Sequence, residues 1–252
     1  MQTNNDIFTS LLDGVRNIEF GQYCQESVEM HNFIISGGHI EERTRAIFTL
    51  IYKARSLGIP TIVFHCGNPY LQPAPLSYLW GKQVNQYEPA KSKSSTAIAD
   101  LLTDVGVYTL GTDRKIFSLI QLVVDILKAT QEIVTLEDIV NFPCDSVMSK
   151  LSVYAQDDII DNEQRGEFAK RLSGSAGECV SETSRLFLRI KNAWKNSSAG
   201  VAGSSLLETT ENHGLLTFNL VTDTNPVLKE LCFADVNSLM QQGNISSLSL
   251  TV

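Results

Sequence analysis

The sequence predicts an α/β fold, a three-layer sandwich with a mainly parallel sheet and an all-helical insertion. Three observations carry this. Residues 33 to 64 read as strand, glycine turn, amphipathic helix and strand, which is a βαβ unit with a right-handed crossover. About 80 residues from Arg114 to Trp194 show helical spacing and almost no strand signal. Leu215 to Val221 then returns to an apolar strand. The expected division is an α/β core over 1–112, a helical insertion over 113–197, and the rest of the core over 198–252.

Taken in order, residues 6 to 30 predict a short helix (Ile7 to Val15), a strand pair around Ile18 to Tyr23 and an edge strand near Ser27 to Met30. Phe33 to Ile35 is an apolar strand, and Gly37-Gly38 turns the chain. Ala46, Ile47, Leu50, Ile51, Ala54 and Leu57 then recur at three- and four-residue spacing, the mark of a half-buried helix that Gly58 ends. Ile59 to Phe64 is a continuous apolar run, as expected of a parallel strand buried on both faces. Residues 65 to 95, with Pro69, Pro73, Pro75 and Pro89, predict a loop over one sheet edge.

Ser94-Ser95-Thr96 can cap a helix from Ala97 to Val105, since a serine hydroxyl accepts from an unpaired N–H of the first turn. Ile116, Leu119, Ile120, Val123, Val124 and Leu127 give the next helix a wide apolar face. Thr135-Leu136-Glu137-Asp138 is a capping box with Asp in place of Glu or Gln. Helices follow at 145–155, 162–173 and 178–195. The last carries Phe187, Leu188 and Ile190 beside Arg185, Arg189 and Lys191, a mixture suited to a partly exposed contact surface. Ser197 to Ser205 is a linker of small residues. Pro226 opens a helix that reaches about Met240, proline being tolerated at the first position, and Leu248 to Val252 begins a further strand.

The segment from Phe33 to Thr44 has the frame of a phosphate-binding P-loop but not its chemistry. A working loop reads GxxxxGK followed by Ser or Thr, with backbone N–H groups cradling phosphates and the lysine reaching the β/γ-phosphates. Gly37 fills the first glycine position, and Gly38 follows it in the turn. Glu42 stands at the second glycine, Arg43 at the lysine and Thr44 at the hydroxyl position. Glu41 and Glu42 put two carboxylates in the first turn, where they stabilise the helix end as a phosphate would and compete with one. Arg43 keeps the charge of lysine without its slim reach. Gly37, Gly38, Arg43 and Thr44 are therefore the candidate nucleotide-binding residues of a degenerate site, with no catalytic residue and no metal ligand assigned.

Composition narrows the function classes. A hydrophobic content of 43% describes a soluble globular chain. A net charge of −8 argues against wrapping nucleic acid over a broad surface. Two basic clusters, Lys82 with Lys91 and Lys93, and Arg185 with Arg189, Lys191 and Lys195, read as a solvated loop and a solvated helix face. The five cysteines are scattered without zinc-type spacing, which predicts a reducing, cytoplasmic setting. His65-Cys66 reads as core filling at a strand end. No run of 18 apolar residues and no signal peptide are present in the sequence.

The segments HNFIISGGHIEERTRAIFTLI, GIPTIVFHCGN and LLTFNLV followed by NPVLKELCFADVNSLM, with the helical insertion, together resemble the RecA-like motor domain of the FtsK/HerA superfamily. The nearest likeness is to the coupling proteins of type IV secretion and conjugation. The resemblance implies a RecA-like sandwich in which Leu248 to Val252 is the Walker B strand, ending before its acidic pair. It departs from the family at His65, where members usually carry Asp, and at the missing lysine. The resemblance taken with the eroded site residues implies a non-catalytic module of a secretion or DNA-translocation machine, serving assembly or substrate and partner recognition. The partners would be other subunits of that machine or further copies of this chain, with nucleic acid as a partner of the parent machine. The location would be cytoplasmic, peripheral to a membrane-embedded assembly. The eroded loop predicts no bound cofactor. Two alternatives stay open: a fragment of an active hexameric ATPase that takes ATP and magnesium, and an unrelated α/β protein binding a small anion.

Overall fold

The computed structural model describes residues 39–65, 67–81, 83–194, 202–220, 226–241 and 249–251. The fold is mostly helical with one small parallel sheet, an α/β arrangement. It divides into two compact units, one formed by Met1–Gln86, Leu207–Val221 and Gly243–Val252, the other by Tyr87–Leu206 and Thr222–Gln242. The helical unit is thus wider than the segment 113–197. It begins at Tyr87 and takes in the helix Pro226–Gln241. The strands and helix expected between residues 6 and 35 lie outside the described residues.

In the first unit, helix α1 (Ile40–Ser56) precedes strand β1 (Thr61–His65). Acidic Glu41 and Glu42 sit in the first turn of α1 and basic Lys53 and Arg55 in its last, both matching the helix dipole. Gly58 leaves the helix at φ +69°, a left-handed conformation that glycine adopts without strain. Beyond β1, Pro69–Leu71 forms a 3₁₀ turn, and Pro73–Trp80 forms helix α2 where the proline-rich sequence predicts a loop. Pro73 and Pro75 both fall in its first turn, whose N–H groups have no acceptor within the helix, so the missing donors cost nothing there.

Strand β2 (Asn85–Gln86) and strand β3 (Leu215–Asn219) follow, with strand β4 (Ser249–Thr251) last. The sheet order is β2-β3-β1-β4 and every pairing is parallel. β1 and β3 pair from Thr61↔Leu215 to His65↔Asn219. Alternation sends Val63 to one face, where it packs with Phe48 and Ile51 of α1, Leu76 and Trp80 of α2, and Leu215. Phe64 and its register partner Phe218 meet edge to face at 6.4 Å. Because all five residues of β1 are buried, the strand reads as an unbroken apolar run rather than an alternating one.

In the second unit the helices are α3 (Ser95–Leu110), α4 (Ile116–Thr130), α5 (Leu136–Val140), α6 (Val147–Gln156), α7 (Asn162–Arg171) and α8 (Val180–Trp194), joined by α10 (Pro226–Gln241). The short helix α9 (Leu206–Glu211) lies before β3. Ser94 Oγ accepts from Ala97 N–H at 3.1 Å and starts α3, and Gly111 at φ +63° ends it. The Thr135 box forms with Asp138, whose Oδ2 accepts from Thr135 N–H at 2.9 Å. α4 buries eight residues and packs against α3 and α8 as the central helix. Leu172–Ala176 is a kinked turn, its backbone non-helical at Gly174 (φ −89°, ψ −145°), that leads through the 3₁₀ turn Gly177–Cys179 into α8.

The chain enters and leaves this unit side by side. Tyr87 bridges Ser204, Glu88 N–H donates to Ser204 O at 2.9 Å, and Lys91 Nζ donates to Gly203 O at 2.7 Å. Lys93 and Lys91 are consequently not a solvated strip. Lys93 Nζ lies 2.8 Å from Asp235 of α10, a side chain only 2% exposed, and Tyr87 Oη donates to the same carboxylate at 2.7 Å. Glu88 is fully buried and accepts from Leu136 N–H at 2.8 Å and Ala90 N–H at 3.3 Å. Burial pushes its carboxyl up to about 7, the two N–H bonds pull it back, nearby Asp138 raises it and Lys93 lowers it.

Candidate functional site

In open parallel sheets, ligands bind beyond the carboxyl ends of the strands. Here that edge belongs to the first unit and gathers the start of α1, the end of β1 and the end of β3. Of the four residues assigned from sequence, Gly37 and Gly38 lie outside the described residues. Arg43 is exposed on the first turns of α1, while Thr44, next in the chain, is fully buried.

The electrostatics of the helix start are set by its own side chains. Glu42 folds back so that its Oε2 accepts from His39 N–H at 3.1 Å, which places a carboxylate at the helix N-terminus. A single carboxylate there contributes about 0.3–1 kcal/mol to the helix. It also puts negative charge where a phosphate would need positive potential. Thr44 Oγ1 accepts from Asn68 Nδ2 at 3.0 Å, so one of its lone pairs is already engaged. Asn68 is itself held, because its Oδ1 accepts from Tyr70 N–H at 3.0 Å and caps the 3₁₀ turn.

Three residues of this edge escaped the site assignment. Asn219 Oδ1 accepts from Gly67 N–H at 2.9 Å and ties the ends of β3 and β1 together across Gly67, itself at φ +71°. Asn68 orients Thr44 as described. His65 shares the face of Val63, is 5% exposed, and finds no partner for either ring nitrogen among the described residues. Desolvation by burial lowers its pKa to about 4, so the ring is neutral at pH 7 and offers one donor and one acceptor. Asn-Pro after a strand was a usable sign for Asn68, since Asx side chains cap turns. No local pattern announces Asn219.

Among the described residues no three His, Cys, Asp or Glu side chains converge as a metal site. Cys144, Cys179 and Cys232 are free and buried, and burial pushes the Cys144 thiol up to about 12. No helix among the described residues is long and apolar enough to cross a membrane. Compared with known proteins, the chain matches no family profile, no curated protein and no solved structure.

Proposed function

We propose that this chain is a non-catalytic, RecA-like module of the FtsK/HerA kind, closest to type IV secretion and conjugation coupling proteins. It acts in assembly or in substrate and partner recognition within a secretion or DNA-translocation machine. The observation that carries the non-catalytic reading is the Glu42 carboxylate folded onto the start of α1. It supplies negative charge at the anion-binding position and is joined there by Glu41. The engagement of Thr44 by Asn68 supports the same reading, because this is the hydroxyl a P-loop offers to magnesium. The parallel sheet, with α1 leading into the central strand β1, supports a RecA-like sandwich as the finer form of the α/β fold. Other subunits of the machine and further copies of the chain are its partners in this proposal, and its place is the cytoplasmic side of a membrane-embedded assembly.

Isothermal titration with ATP and magnesium tests the nucleotide part. Wild-type protein is expected to release no binding heat, and restoration to need Glu42→Gly together with Arg43→Lys. A micromolar Kd, or a clear thermal shift of the wild type with ATP and magnesium, would overturn it.

A further inference from the structure

The helical unit holds an open groove of about 710 Å³ along one side of α8, a volume in the range of ligand sites. Ser184, Phe187, Leu188 and Lys191 line it at the spacing of one helix stripe. Phe142, in the turn after α5, also lines it. Phe187 and Phe142 are buried, and Leu188, which lines the same groove, is 58% exposed. Asp145 and Glu178 are exposed acids of the same groove and Lys191 its exposed base. Among the described residues none of these three makes an ion pair.

Two of the three charges lie at opposite ends of the helix, while Asp145 belongs to the Cys144–Ser146 turn on the facing wall. Glu178 precedes its first turn and Lys191 sits near its end. From Val180 to Lys191 the helix rises about 16 Å at 1.5 Å per residue, the length of about five extended residues.

We infer that this groove binds an extended peptide of about five residues with a basic side chain at the Glu178 end, an apolar side chain on Leu188 and an acidic group at Lys191. In an extended chain, alternate side chains face one way, so the first, third and fifth residues meet the acidic, apolar and basic parts in turn. The apolar anchor covers Leu188, while the charges set direction and register. The inference rests on the recognition role proposed above and is independent of the nucleotide site.

The test is selection of a synthetic random heptapeptide library on the full chain, followed by fluorescence anisotropy of the enriched peptides. Enrichment of basic–apolar–acidic spacing is expected. Leu188→Asp should weaken the selected peptides at least tenfold, and Lys191→Glu should exchange the acidic preference for a basic one. Leu188 and Lys191 are both exposed, so the variants are expected to fold, which circular dichroism checks. No enrichment, or enriched peptides whose affinity survives Leu188→Asp, would overturn the inference. So would a wild-type dimer that Leu188→Asp dissociates, which would assign the groove to a second copy. ATP binding by the wild type would overturn the nucleotide reading and leave this result untouched.

Discussion

Replacing Glu88 by Gln is expected to stabilise the protein at pH 8 and to leave it nearly unchanged at pH 4.5. The carboxyl is fully buried, and its folded-state pKa is raised from 4.5 to about 7, mainly by desolvation. A raised acid holds its proton in the native state when the unfolded chain has lost it. Stability from this group is therefore full below pH 4.5, falls as pH rises between 4.5 and 7, and levels off above 7. At about 1.4 kcal/mol per pH unit, the loss amounts to about 3 kcal/mol at pH 8. Gln keeps the side-chain oxygen that accepts from Leu136 and Ala90 N–H, and carries no charge to desolvate. Urea unfolding followed by circular dichroism at half-unit steps from pH 4.5 to 8 measures the slope directly. The wild type should lose stability across that window and Glu88→Gln should lose about 3 kcal/mol less. Equal slopes for the two proteins would refute the argument.

Lys93→Met leaves the Asp235 carboxylate buried with Tyr87 as its remaining described hydrogen-bond donor, and should cost about 3–5 kcal/mol in urea unfolding. Adding Asp235→Asn should recover much of that loss, since the amide still accepts from Tyr87; no recovery would contradict the electrostatic account. Gly177→Ala would set a Cβ 2.5 Å from the backbone oxygen of Leu172, so overpacking of about 1–3 kcal/mol should lower the melting temperature. Gly166→Ala, mid-helix in α7 with nothing within 4 Å of the added carbon, should raise stability by up to about 1 kcal/mol and serves as the matched control.

The sequence by itself determined the elements whose ends and faces are written locally. The three- and four-residue recurrence from Ala46 marks α1, the apolar run before Phe64 marks a buried parallel strand, Ser94 and Thr135 open helices by accepting from an unpaired first turn, and Pro226 opens one where its missing N–H costs nothing. These signals act within a few residues, so a single chain segment contains them. The acidic first turn of α1 is local in the same way, since Glu42 accepts from His39 N–H only three residues away. Pro73 and Pro75 misled because the same residue opens a helix or breaks one, and only packing of Leu76 and Trp80 onto Val63 decides which. Tertiary structure alone decided that Lys93 meets Asp235, that Asn219 secures Gly67, and that Phe142 lines the same groove as Leu188. In each pair the partners are far apart in the chain, and nothing in the local spacing of one carries the position of the other. Their meeting depends on which buried faces close against each other, a choice made by the whole core.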